Sequence, residues 1–249
     1  DLYFRNRAIR KEEKKKNRIK RKMRRRHQKE HKKMEAGRSL GCKAIAVEMA
    51  SATPGEHWVY QTWATYLAGT ALNARLRSLA GADVDFYSDL VVESLWKPLQ
   101  LSELIANTRR TYDDVAQPFT GFGLTFVRDD VAKLAVFLGL SDGRVQGETQ
   151  LDRQLFDAIK QRVPGDRGKR AESDLIRYNN GFRTFDVATI LGCSKPTWLT
   201  TMSGYGGINV VLMPNDTAYY YFSDGDEHRY LSAVRESHRI RPLCESRLY

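Results

Sequence analysis

Up to about residue 163 the apolar positions recur at helical spacing. Beyond it they alternate or run on as in strands, and the last segment returns to the helical period. Tyr66 to Leu72, continued by Leu76 and Leu79, predicts one helix. Asp85–Trp96 predicts a second, closed by Lys97-Pro98 because proline stops a helix. Asp129–Leu138 is a third, with acids at its positive end, and Leu151–Val163 a fourth. A short apolar helix is expected earlier, over Lys43–Ala50. Phe119 to Gly123 reads as a glycine-rich turn, and Val163 to Arg170 as a loop. Tyr178–Val187, Gly206–Met213 and Thr217–Phe222 read as strands, the last two joined through Pro214-Asn215-Asp216 as a hairpin. Tyr219 to Phe222 is expected to bury alternate rings. His228–Ile240 closes the pattern as a helix. Helices, then antiparallel strands, then a packing helix give an α+β fold, with an antiparallel sheet flanked by helices.

Charge divides the chain in two. Residues 1–38 carry 18 Lys and Arg against 5 Asp and Glu, a net +13, while the remaining residues carry 23 against 25, a net −2. The basicity therefore belongs to an N-terminal arm over residues 1–38, helical or disordered, with residues 39–249 as the domain proper. Only Ile9, Ile19, Met23 and Met34 are apolar between residues 5 and 36, too few for a buried face. Such an arm can bind nucleic acid or another acidic partner. No run of 18 apolar residues occurs, so no membrane span is expected. The chain begins at Asp1, which reads as a processed form or a fragment.

The three cysteines, Cys42, Cys193 and Cys244, form no CxxC or zinc spacing. They read as free thiols, with a Cys193–Cys244 disulfide as the alternative in an exported protein. No cofactor or metal is expected. Asp224 to His228 is close-packed in acids but lacks the longer ligand set of a calcium loop, and reads as a solvated turn and helix cap.

Two patches carry chemistry. Pro54-Gly-Glu-His-Trp-Val-Tyr60-Gln-Thr62 leads into Tyr66-Leu-Ala-Gly69. Trp198-Leu-Thr-Thr-Met202-Ser203-Gly204-Tyr205-Gly206-Gly-Ile runs through Val-Val-Leu-Met to Pro214-Asn215. The first resembles the Pro-Gly…Tyr-Ser-Asn stretch of β-lactamase-like serine hydrolases, the family of class C β-lactamases, DD-peptidases and related esterases. The second is similar to that family's Lys/His-(Thr/Ser)-Gly strand. Trp96-Lys-Pro-Leu, Gly121-Phe-Gly123 through Asp130 to Leu134, and Tyr178-Asn-Asn-Gly-Phe182 resemble further family segments in the family's order.

The resemblance implies an ester or amide small-molecule substrate. It makes Tyr60 the proton-moving tyrosine and places Ser203 and Tyr205 at the reacting centre, with the Tyr205 N–H as half of an oxyanion hole. Thr62, Met202, Gly204 and Gly206 would contact substrate, on an edge strand that substrate approaches closely. It also implies that Tyr60 lies beside Ser203 to Tyr205. Thr62 stands where the family has Asn, and Met202 where it has Lys or His, which favours an esterase-like ancestor over a β-lactamase.

This family's nucleophile is the serine of Ser-x-x-Lys. The only such spacing is Ser94-Leu-Trp-Lys97, which follows the tyrosine motif instead of preceding it and reads as packing. Tyr178-Asn-Asn180 mimics Tyr-x-Asn and reads as structural, as does His57. The chain as given is therefore expected to be truncated or inactive as a hydrolase.

Overall fold

The computed structural model describes residues 53, 55–56, 58–113, 115–171, 173–223 and 225–244, with backbone only at 62 and 63. The expected arm over residues 1–38 and helix Lys43–Ala50 lie outside the described residues. So do Cys42, Pro54, His57, Asp224 and the Thr62 side chain.

The fold is α+β. Helix α1 (Thr62–Ala80) is followed by a π-helix (Phe86–Trp96), a 3-10 turn (Glu103–Ala106), α2 (Arg128–Gly139) and α3 (Arg153–Ile159). The region expected as a fourth helix is thus helical only over seven residues. The Asp152 carboxylate starts α3 by accepting from the Leu155 N–H at 2.9 Å. The Asp85–Trp96 helix forms where expected but is wound wide. The Lys97 N–H donates to the Val92 carbonyl and that of Leu101 to Trp96, each five residues back. A short hairpin, β1 (Arg144–Val145) and β2 (Glu148–Thr149), links α2 to α3.

A six-stranded antiparallel sheet follows, in chain order: β3 (Lys169–Arg170), β4 (Ile176–Asn179), β5 (Phe182–Asp186), β6 (Trp198–Gly204), β7 (Ile208–Met213) and β8 (Thr217–Phe222). Helix α4 (Ala188–Leu191) lies between β5 and β6, and α5 (Leu231–Ile240) follows β8. The single strand expected over Tyr178–Val187 is in fact the β4–β5 hairpin. It turns at Asn180-Gly181, with φ of 46° and 88°. Both residues are left-handed, as a two-residue hairpin turn of this twist requires. The β7–β8 hairpin turns at Pro214 to Asp216 as expected.

Central β7 is apolar from Val210 to Met213 because both its faces are covered. Val210 and Leu212 join Val131, Phe137, Leu138 and Phe156 of α2 and α3. Val211 and Met213 join Val187, Leu199, Val234 and Leu243 on the α5 side. Each such side chain contributes roughly 1.5–3 kcal/mol by leaving water. Cys193 and Cys244 form a disulfide, which corrects the free-thiol expectation. It ties the β5–β6 connection to the chain just past α5.

Three polar clusters lock the helical layer. Buried Asp130 accepts from the Ser102 N–H at 2.7 Å, the Ser102 hydroxyl at 2.6 Å and the Val127 N–H at 3.2 Å. Burial alone would raise its carboxyl, but these donors hold it below the usual range. Arg110 grips Asp85 through both terminal nitrogens, at 2.8 and 2.9 Å. Asp142 receives Lys160 at 2.9 Å and Arg162 at 2.9 and 3.0 Å.

Candidate functional site

The residues of the second patch sit at the end of β6 and in the turn that follows. Strand β6 is internal, between β5 and β7, so the edge-strand expectation is corrected for most of its length. Its end is an exception. Pairing with β5 stops at Arg183↔Thr201, while pairing with β7 continues to Gly204↔Ile208. Met202 to Gly204 therefore overhang β5.

Hydrogen-bond parity tells which groups are left open. The Val187 N–H donates to the Thr197 carbonyl at 2.9 Å, so Thr197, Leu199 and Thr201 turn their main-chain groups toward β5. By the same alternation Ser203 does too, but β5 has ended there. The Ser203 N–H and carbonyl have no hydrogen-bond partner among the described residues. Tyr205 follows two residues on, where the strand gives way to the turn, and its side chain is 68% exposed.

Glycines shape the rest of this end. Gly204 is shielded on one side by Ile208, whose Cβ lies 3.1 Å from where a Gly204 Cβ would stand. Gly206, at φ 90°, has open space around that position. Gly207, at φ 96°, is held against the Glu227 main chain, 2.8 Å from its missing Cβ. The Met202 side chain points away from the overhang and packs into the apolar cluster of Val210 and Phe156.

Ser203 is exposed and lies directly across from Asn209. Asn209 is 1% exposed, a buried amide within an otherwise apolar strand. Its nitrogen donates to the Gly207 and Glu227 carbonyls at 3.2 and 3.3 Å. Its oxygen is therefore the acceptor facing His228 Nδ1 at 3.0 Å. Nδ1 therefore carries the proton of that contact, and Nε2 lies 3.8 Å from an Asp226 oxygen. In the sequence His228 falls in the acidic turn at the start of the closing helix, and Asn209 belongs to no motif. The signal was the lone polar residue in Ile208-Asn-Val-Val-Leu-Met213.

Tyr60 stands elsewhere along the sheet. It is 62% exposed and lies 6.4 Å, centroid to centroid, from Trp58. Trp58 in turn packs at 4.8 Å on Tyr178 of β4. Burial pushes the Tyr178 hydroxyl up, and neighbouring Tyr60 pushes in the same direction. Tyr178, Arg183 and Thr201 form one cross-strand row, so the Tyr178 that Tyr60 neighbours stands two strands from β6. Among the described residues Tyr60 makes no hydrogen bond to Ser203, Gly204 or Tyr205.

Tyr178-Asn-Asn180 has a structural role. The Asn179 amide donates to the Ala158 carbonyl at 3.4 Å and to the Asp166 carbonyl at 3.2 Å, while Asn180 forms the turn. Ser94 and Lys97 are exposed, and the Lys97 ammonium is held by Glu93 at 2.5 Å. Among the described residues no cluster of three or more His, Cys, Asp or Glu is set to hold a metal, and no helix is long and apolar enough to cross a membrane. Comparison with protein-family models, with curated proteins and with solved structures finds no match.

Proposed function

We propose that residues 39–249 are a β-lactamase-related serine-hydrolase domain whose β6 end binds the carbonyl of a small ester or amide. Ser203, Gly204 and Tyr205 form the carbonyl-binding edge, while Tyr60, set against Trp58 beside Tyr178, matches the family's tyrosine by motif only. The observation that carries the reading is the overhang of β6. It leaves the Ser203 main chain open beside two glycines, where a carbonyl group can dock by hydrogen bonding to the backbone.

The chain alone binds and does not hydrolyse. Its only Ser-x-x-Lys is exposed and its lysine is tied to Glu93, so this motif supplies no activated serine hydroxyl. Incubation of the full chain with a fluorescent penicillin and a fluorophosphonate should give no covalent label. A label on any serine overturns the non-hydrolytic reading. Titration with phenyl acetate and with benzylpenicillin should shift the amide resonances of Ser203 and Tyr205. If neither compound moves them, the carbonyl-binding site is wrong.

The charge split favours a second reading, in which residues 1–38, at net +13, tether the domain to a nucleic acid or another acidic partner. Binding to a DNA or RNA duplex should then weaken steeply with salt and vanish when residues 1–38 are removed. Salt-insensitive binding would contradict it.

A further inference from the structure

Strand β8 is the outer edge of the sheet. It runs Thr-Ala-Tyr-Tyr-Tyr-Phe, with no charge, proline or bulge to blunt it. The Ser223 N–H donates to the Gly207 carbonyl at 3.0 Å, which sets the parity of the β7–β8 ladder. Thr217, Tyr219 and Tyr221 therefore bond inward to β7. Ala218, Tyr220 and Phe222 direct their N–H and carbonyl groups outward, with no partner among the described residues. The rings alternate as expected, but the inner pair is not fully buried. Tyr219 and Tyr221 are only half-buried, while Tyr220 and Phe222 are 36% and 47% exposed. Beside them runs an apolar groove of about 290 Å³, closed on its far side by Phe126, Val127 and Val131.

We propose that β8 pairs with β8 of a second copy of this chain, antiparallel about a two-fold axis at Tyr220, to make one continuous sheet across the dimer. The strand is self-complementary in that register. Tyr220 meets the partner's Tyr220, and Phe222 meets the partner's Ala218, a large ring facing the smallest outward residue. On the opposite face Tyr219 meets the partner's Tyr221. Each of the three outward residues offers one donor and one acceptor, and the two-fold matches them all without a remainder. Aromatic cross-strand pairs and burial of the exposed rings add to the backbone bonds. The groove then receives the partner's Tyr220 ring. A single strand pair lies at the small end of specific interfaces, below about 1,200 Å², so the association is expected to be reversible.

The full chain is tested by sedimentation over a concentration series and by cysteine cross-linking. The expected result is a reversible monomer–dimer equilibrium. Tyr220→Pro deletes only an outward N–H and should weaken it at least tenfold without changing the circular dichroism. Tyr220→Lys sets two ammonium groups together at the axis and should do the same. Under mild oxidation Tyr220→Cys should cross-link to itself. Ala218→Cys and Phe222→Cys should cross-link when mixed but not each alone, which distinguishes this register from chance collision. A monomer at all concentrations overturns the proposal. So does a dimer unaffected by both Tyr220 variants. Cross-linking of Tyr220→Cys to a native cysteine of the same chain, Cys42 above all, would show that the edge is covered intramolecularly, and also overturns it.

Discussion

Besides its short β3 edge, the sheet has among the described residues two places where main-chain groups face outward without a strand beside them, and they differ in length, polarity and lining. At the end of β6 the opening is one residue long, is flanked by Gly204 and Gly206, and carries an exposed serine. Along β8 it is three outward residues long and lined by aromatic rings. The first has room and polarity for a single carbonyl group. The second offers a row of hydrogen bonds and an apolar groove, which only another strand satisfies. The opposite edge of the sheet shows how such exposure is avoided. Strand β3 has two residues, Lys169 and Arg170, both charged and exposed. Length and side-chain character, not strand position alone, set the use of an edge.

The comparison depends on β7, which separates the two openings, and on the disulfide that ties the β5–β6 connection to the end of α5. The largest effect is expected from the disulfide. It closes a loop of 51 residues, so reduction or Cys193→Ser with Cys244→Ser should cost about 4 kcal/mol in chemical denaturation. Next is Leu212→Ala, at a position 2% exposed and packed on Phe137 and Phe156. The loss should be about 3 kcal/mol by the same measurement, and both openings should suffer together.

A pH effect should be smaller and leave both openings alone. Burial would raise the Asp142 carboxyl, but hydrogen bonds from Arg162 and Lys160 outweigh it and hold it at about 2, against 3.8 ordinarily. Asp85 sits at about 2 as well, where the Arg110 contacts outweigh burial. A carboxyl depressed on folding stabilises fully above its unfolded value, and that contribution disappears as pH falls through the folded one. Stability should therefore decline between about pH 4 and pH 2, and Asp142→Asn should flatten that limb. A decline that is unchanged in Asp142→Asn assigns the limb to other carboxyls. The smallest effect separates the openings. Gly204→Val should abolish the ester-induced shift at Ser203 while leaving the sedimentation profile as it was.

Much of this architecture is legible in the chain. Helical periodicity marks α1, the π-helix and α2 to within a few residues, and the apolar run and Pro-Asn-Asp turn mark the β7–β8 hairpin. The Asn180-Gly181 turn was also written in the sequence. It was hidden because aromatics continue on both sides of it, at Tyr178, Phe182 and Phe185, so the segment reads as one strand. A 3.6-residue pattern cannot reveal that the turns of Phe86–Trp96 close five residues back. Other features are non-local, and the sequence leaves them open or unmarked, the disulfide only as an alternative to free thiols. The Cys193–Cys244 pairing, the Asn209–His228 contact and the overhang of β6 all depend on where distant segments end. The Met202-Ser203-Gly204-Tyr205 patch was visible as a motif, yet the open Ser203 backbone follows from β5 stopping at Arg183. Nothing in local sequence could tell that Tyr60 settles against Trp58 and Tyr178, two strands away.

The two openings are most directly tested by residue-resolved amide hydrogen exchange at low and high protein concentration. Ser203 should exchange fast at both, beside a protected Thr201. Ala218, Tyr220 and Phe222 should exchange fast when dilute and slow when concentrated, with Tyr219 and Tyr221 protected throughout. A Ser203 amide protected in the dilute, ligand-free protein would contradict the open end of β6. Protection of Tyr220 at the lowest concentration would contradict a β8 edge left free for a second copy.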